Sequence, residues 1–81
     1  METLKNVAIS DLRANEIGVI VDVNLSGRQL KRMLELGFVS GTRIKISAIS
    51  PDGQTFLVAI RGYLLAIDAR VGEKIIVRRV K

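Results

Sequence analysis

Between Ser26 and Gly37 the chain carries both the start and the stop of one short helix, in a sequence that otherwise reads as strand and turn. Ser26 is placed to cap the helix, its hydroxyl accepting from an orphan N–H of the first turn. Gln29, three residues on, can return to the Ser26 N–H and complete a capping box, and Leu25 and Leu30 occupy the two positions of a hydrophobic staple. Leu30, Met33 and Leu34 recur at helical spacing as one apolar stripe, with Arg28, Lys31, Arg32 and Glu35 on the other side. Gly37 ends the helix, because glycine takes the left-handed C′ conformation without a Cβ penalty, and Phe38 falls where a Schellman stop sets an apolar residue near Met33. Gly41 then reads as the turn into the next strand.

The remainder alternates with a period of two. Ile17 to Val23 is a strand, with Ile17, Val19, Val21 and Val23 on one face and Gly18, Ile20 and Asp22 on the other. Thr42 to Ile49 is another, with Ile44, Ile46 and Ala48 inward and Arg43, Lys45 and Ser47 outward. Ser50-Pro51-Asp52-Gly53 is a turn: proline presets φ at the first corner and Gly53 tolerates positive φ. Thr55 to Ile60 and Tyr63 to Ile67 are strands joined by a two-residue connection, Arg61-Gly62. Ile9-Ser10-Asp11-Leu12 is a lead-in turn with Ser10 or Asp11 as a cap, Asp68 to Gly72 is a single helical turn, and Lys74 to Val80 is the last strand. No repeat or linker divides the sequence, so residues 1–81 read as a single domain. About five short strands, tight connections and one helix predict a mainly β fold, a small, strongly bent antiparallel barrel of the SH3-like kind; a small α+β sheet is the rival.

Composition narrows the chemistry. The chain has no cysteine and no histidine, which removes thiolate and imidazole catalysis and the usual transition-metal ligands. The carboxylates Glu2, Asp11, Glu16, Asp22, Glu35, Asp52, Asp68 and Glu73 are scattered, and no two share a spacing that predicts a catalytic pair or a hard-metal loop. The serines are accounted for by caps and turns. Gly37 and Gly41 follow a helix and precede a strand, the reverse of the order in a phosphate-cradling loop. The expectation is a protein that is not an enzyme and carries no metal site. The N-terminal residues lack the apolar core of a signal peptide, and no apolar run, Tyr63 to Ile67 included, approaches a membrane span, which predicts a cytoplasmic location.

Two features point to partners. The net charge is +5, but the basic residues are dispersed over Arg28, Lys31 and Arg32, over Arg43 and Lys45, and over Lys74, Arg78, Arg79 and Lys81. Aromatics are only 4% of the chain, a poor endowment for base stacking. A solvated basic surface is therefore preferred to a nucleic-acid site. The second feature is the hairpin. If Phe56, Val58, Ile60, Leu65 and Ile67 fill the core, Leu57, Leu64 and Tyr63 point outward as an apolar patch, to be covered either by a partner or by the chain's own helix or N-terminal segment.

The segment from Arg32 to Thr42 closely resembles the signature of the FeoA family, small SH3-like proteins of bacterial ferrous iron transport. The likeness continues at Ile9 to Leu12, Ser50 to Gly53, Ile60 to Tyr63 with Leu65-Ala66, and Glu73 to Val77. The chain departs from the family pattern at Gly53-Gln54-Thr55, where Gly-Asp-Pro is usual. It departs again at Ile67-Asp68 in place of Leu-Arg, at Gly72 in place of Ala and at Asn15 in place of Gly. The resemblance implies a cytoplasmic accessory protein that docks on the G-protein portion of the FeoB iron permease, with no cofactor and with ferrous iron at most in weak or indirect association. Leu57, Tyr63 and Leu64 would then anchor the partner, and Arg28, Lys31 and Arg32 would steer an acidic one. Similar domains close metal-dependent repressors of the DtxR kind. A nucleic-acid-binding barrel and a self-associating SH3-like domain are the alternatives.

Overall fold

The structure, a computed structural model, describes residues 5–80; the expectations that rest on Met1–Leu4, Glu2 among them, and on Lys81 lie outside that range. The elements are β1 (Asn6–Ala8), a 3₁₀ turn (Ile9–Asp11), β2 (Ile17–Val23), α1 (Gly27–Glu35), β3 (Arg43–Ile49), β4 (Thr55–Ile60), β5 (Tyr63–Asp68), α2 (Ala69–Gly72) and β6 (Ile75–Val80). The strands form one sheet in the order β1-β6-β2-β3-β4-β5, antiparallel throughout. The fold is mainly β and SH3-like, with six strands where alternation predicts about five. The additional strand, β1, pairs Val7 with Val77 and is too short to show a period. Among the described residues no ladder joins β1 to β5, so the sheet is bent but not closed.

The core is aliphatic with two phenylalanines: Ile9, Ile20, Phe38, Ile44, Ile46, Phe56, Val58, Ile60, Ile75 and Val77 are all buried. Alternation places most of it, and bulges account for the exceptions. In β2 the inward face is the one bearing Gly18 and Ile20, and Val21 is exposed. The β2–β6 register slips between Ile20 and Asp22, so Val23 returns toward the core. In β3 a slip between Ile46 and Ala48 reverses the phase, so Ile49 packs on the core and Ala48, expected inward, is exposed.

The helix stop forms as predicted. Gly37 lies at φ +106, its N–H donates to the Leu34 carbonyl at 3.0 Å, and the Phe38 N–H donates to the Met33 carbonyl at 3.0 Å. These are the two bonds of a Schellman motif, and they send Phe38 into the core with no exposed surface. Burying that ring stabilises the fold by about 1.5–3 kcal/mol.

The helix start differs. Ser26 occupies the N-cap with an extended backbone, but its side chain makes no capping bond, and neither half of the Ser26–Gln29 capping box forms. Gly27 at φ +59 turns the chain between cap and first turn, so the hydroxyl is not aimed at the orphan N–H groups. The stripe is also narrower than predicted: Met33 is buried, Leu30 is half-buried, and Leu34 is 41% exposed.

The β3–β4 turn is held by side chains. Ser50 Oγ donates to Asp52 Oδ1 at 2.6 Å and accepts from the Thr55 N–H at 3.0 Å, while the Gln54 N–H donates to Asp52 Oδ1 at 3.0 Å. The Ser50 hydroxyl, and then the Gln54 N–H, hold the Asp52 carboxyl below the usual carboxylate range. Asp68 caps α2 by accepting from the Arg70 N–H at 2.8 Å.

Two glycine substitutions test this account in opposite directions. Gly72 has ordinary φ, and an added Cβ would meet Ser10 N at 3.4 Å and Ile9 Cγ2 at 3.5 Å, normal contact distances. Gly72→Ala should therefore raise stability by about 0.5–1 kcal/mol in denaturant unfolding, by restricting the unfolded chain. Gly37→Ala should lower it by more than about 1 kcal/mol, since φ is positive and the new Cβ would lie 2.8 Å from Arg61 Cδ.

Candidate partner-binding site

The β4–β5 hairpin organises the exposed chemistry. Arg61 and Gly62 have φ of +50 and +85, the paired positive values of a type I′ turn, whose twist matches that of the strands it joins. The Arg61 side chain lies across the space that a Cβ of Gly37 would fill. Beside it, the Tyr63 hydroxyl donates to the Leu36 carbonyl at the end of α1. Tyr63 pairs with Ile60 and alternates with Leu65 and Ile67, so it stands on the core side of β5, not outward with Leu57 and Leu64. Although 41% exposed, it serves as a strut between hairpin and helix.

Leu64 does point outward and is 55% exposed. Register pairs place Ile17, Lys45, Ala59 and Leu64 in one row across β2, β3, β4 and β5. This row floors a shallow hollow of about 430 Å³, with Arg43, Lys45 and Arg61 in its lining and no carboxylate. Leu57 lies one row away between Ala48 and Ala66 and is half-buried.

The basic helix face is elsewhere. Arg28, Lys31 and Arg32 are exposed, and Arg28 and Arg32 line a groove of about 350 Å³ between α1 and β5. Its apolar wall includes Met33, Leu36, Leu65, Ile67 and Val71. The two sets expected from sequence to anchor and to steer one partner therefore lie on opposite sides of β5. Tyr63 stands between them: it borders the outer hollow at the hairpin tip, and its hydroxyl holds Leu36, which lines the groove. Sequence reasoning left Arg43, Lys45 and Arg61 out of the site. The first two were legible as outward strand residues, but their approach to Leu64 depends on register across three strands.

Part of the remaining charge is neutralised locally. Arg79 Nε, shielded from solvent, lies 3.0 Å from Glu16 Oε2, off the line of a good hydrogen bond, and its Nη2 donates to the Asp11 carbonyl at 3.2 Å. Phe38 and Phe56 are in the core, so Tyr63 is the one exposed aromatic among the described residues. Among those residues no three acidic side chains gather where a metal ion could be held, and no helix is long and apolar enough to cross a membrane.

A bent antiparallel sheet with one capping helix, offering exposed apolar and basic surfaces, defines a small SH3-like domain. The pattern of the FeoA domain matches residues 7–79, and the chain belongs to the FeoA family. It is similar to the FeoA protein of Chlorobium tepidum, at 25% identity and TM-score 0.87 over 93% of this chain and 71% of that one. It is similar also to FeoA of Stenotrophomonas maltophilia, solved with zinc, at 25% identity and TM-score 0.76 over 88% of each chain. A manganese-dependent transcriptional repressor shares the fold alone, at 16% identity and TM-score 0.83 over 99% of this chain and 45% of that one. No curated protein matches the chain in sequence.

The strut is testable. Tyr63→Phe should cost about 0.5–1 kcal/mol in chemical denaturation, since the Leu36 carbonyl must then turn to water, while the far-UV spectrum stays native. An unchanged midpoint would remove Tyr63 from the structural account.

Proposed function

We propose that this protein is a cytoplasmic accessory module of bacterial ferrous iron uptake. It acts as a single non-catalytic domain that docks on the cytosolic, G-protein portion of a FeoB-type permease. The observation that carries the reading is Leu64: a large apolar side chain, more than half exposed, on a rigid hairpin beside Arg43, Lys45 and Arg61 with no acid in the lining. An apolar anchor inside a basic rim suits an acidic protein surface, with the leucine supplying the desolvated contact and the cations supplying steering. Family membership supports the assignment to iron uptake, as does the suggestion that the S. maltophilia protein is a ferrous iron transport activating factor. Iron is the cargo of the permease in this reading, and no residue of the chain need ligate it.

Nucleic-acid binding is the weaker reading. Lys and Arg do not form one stripe, and a single exposed tyrosine cannot build a stacking platform.

The test is capture of the FeoB cytosolic domain by the wild-type chain, Leu64→Asp and Lys45→Glu. Loss of a central apolar anchor should weaken binding at least about tenfold. Lys45→Glu should mainly slow association and reduce its salt dependence. A folded Leu64→Asp protein that binds as well as wild type would rule out this surface.

A further inference from the structure

The outer hollow leaves the groove between α1 and β5 without a role. Among the described residues β5 is an edge strand, paired with β4 on one side and with no strand on the other. In a type I′ hairpin the flanking residues, Ile60 and Tyr63, exchange both ladder bonds, and alternation then turns the backbone N–H and C=O groups of Leu64, Ala66 and Asp68 toward the open edge. The groove runs beside this edge, along the consecutive residues Leu65 to Asp68, with Arg28 and Arg32 of α1 opposite. That length spans about 13 Å of extended chain.

Edge strands are normally blunted by proline, by a bulge, by an inward charge or by extreme shortness. β5 has none of these: its register with β4 is unbroken and its sequence from Tyr63 to Ile67 is apolar. The opposite edge, β1, is only three residues long and follows the usual device. What guards β5 is charge. Among the described residues Arg28 and Arg32 take part in no ion pair, and the acid in the groove, Asp68, is engaged with the Arg70 N–H and side chain. A second copy of this chain would bring the same arginines and the same +5 charge to the groove, so β5-to-β5 pairing is opposed electrostatically. An acidic strand is attracted.

We propose that the slot between α1 and the open edge of β5 receives an extended acidic and apolar segment of a partner protein, which adds to the sheet beside β5. Backbone bonds to Ala66 and Asp68 supply register, apolar side chains cover Leu65 and Ile67, and acidic ones meet Arg28 and Arg32. This surface is separate from the Leu64 hollow and does not depend on the identity of the permease.

The test uses the full ¹⁵N-labelled chain and a blocked octapeptide of alternating Val and Glu. Controls are the same peptide N-methylated at every residue, so that neither edge can donate, and a Val–Lys peptide. Binding of the Val–Glu peptide should slow amide exchange at Ala66 at least about tenfold, since exchange then requires release of the added strand. Neither control should do so. Arg28→Glu combined with Arg32→Glu should weaken binding at least about tenfold. Ala66→Pro removes an outward N–H that the β4 ladder does not use, and should abolish it. If Ala66→Pro does not fold, the N-methylated peptide tests the same ladder from the other side, removing the peptide N–H groups that would donate to the carbonyls of β5. Equal binding of the Val–Glu and Val–Lys peptides would overturn the proposal. So would Val–Glu binding without protection of Ala66, or protection of Ala66 that rises with protein concentration in the absence of peptide.

Discussion

Helix, core and hairpin meet at Gly37, and each takes its position from that junction. A positive φ there allows the two Schellman bonds, which end α1 and drive Phe38 into the core within a single residue. The missing side chain leaves room for Arg61 to cross from the hairpin, and Tyr63 closes the contact on the Leu36 carbonyl. One glycine thus stops the helix, seats the core and lets the β4–β5 hairpin grip the helix end. Its interactions are individually modest. They are mutually dependent because each uses geometry that the others provide.

That junction sets the positions of both exposed surfaces. With the hairpin tip held at the end of α1, one side of β5 turns Leu64 outward beside Lys45 and Arg43, while its free edge faces the arginines of the helix. The two surfaces share a sign of charge but differ in kind. The hollow presents side chains, suited to a folded acidic face, and the slot presents backbone groups, suited to an extended segment. A net charge that looks dispersed along the sequence is in part neutralised, at Arg79 with Glu16, and in part collected around β5 by strand register.

Local signals explain what could be read in advance. Gly37-Phe38, Ser50 to Gly53 and Arg61-Gly62 each specify a turn through the conformational freedom or hydrogen bonding of the residues themselves, and each forms in the expected place. Asn15, where the family usually has glycine, takes φ +73, a conformation that asparagine tolerates better than most residues. All but one of the misreadings involve partners distant in sequence. β1 exists because β6 has an edge to offer; Ala48 is outward because of a bulge against β4; Tyr63 faces inward because the helix end supplies an acceptor. The Ser26 cap failed for a local reason, the positive φ of the glycine that follows it. Of the site, Leu64 and the helical arginines were legible as exposed residues, but their separation onto two surfaces is a property of the folded sheet.

With Arg61 and Tyr63 gripping the helix end, the end of α1 and the β4–β5 hairpin should form one cooperative unit. Native-state hydrogen exchange at low denaturant measures this directly. The Phe38 amide, bonded to the Met33 carbonyl, should exchange only through the opening that also releases the β4–β5 ladder, with the same free energy and the same denaturant dependence. Exchange of Phe38 through a small local opening, far faster than the ladder amides and nearly independent of denaturant, would contradict it.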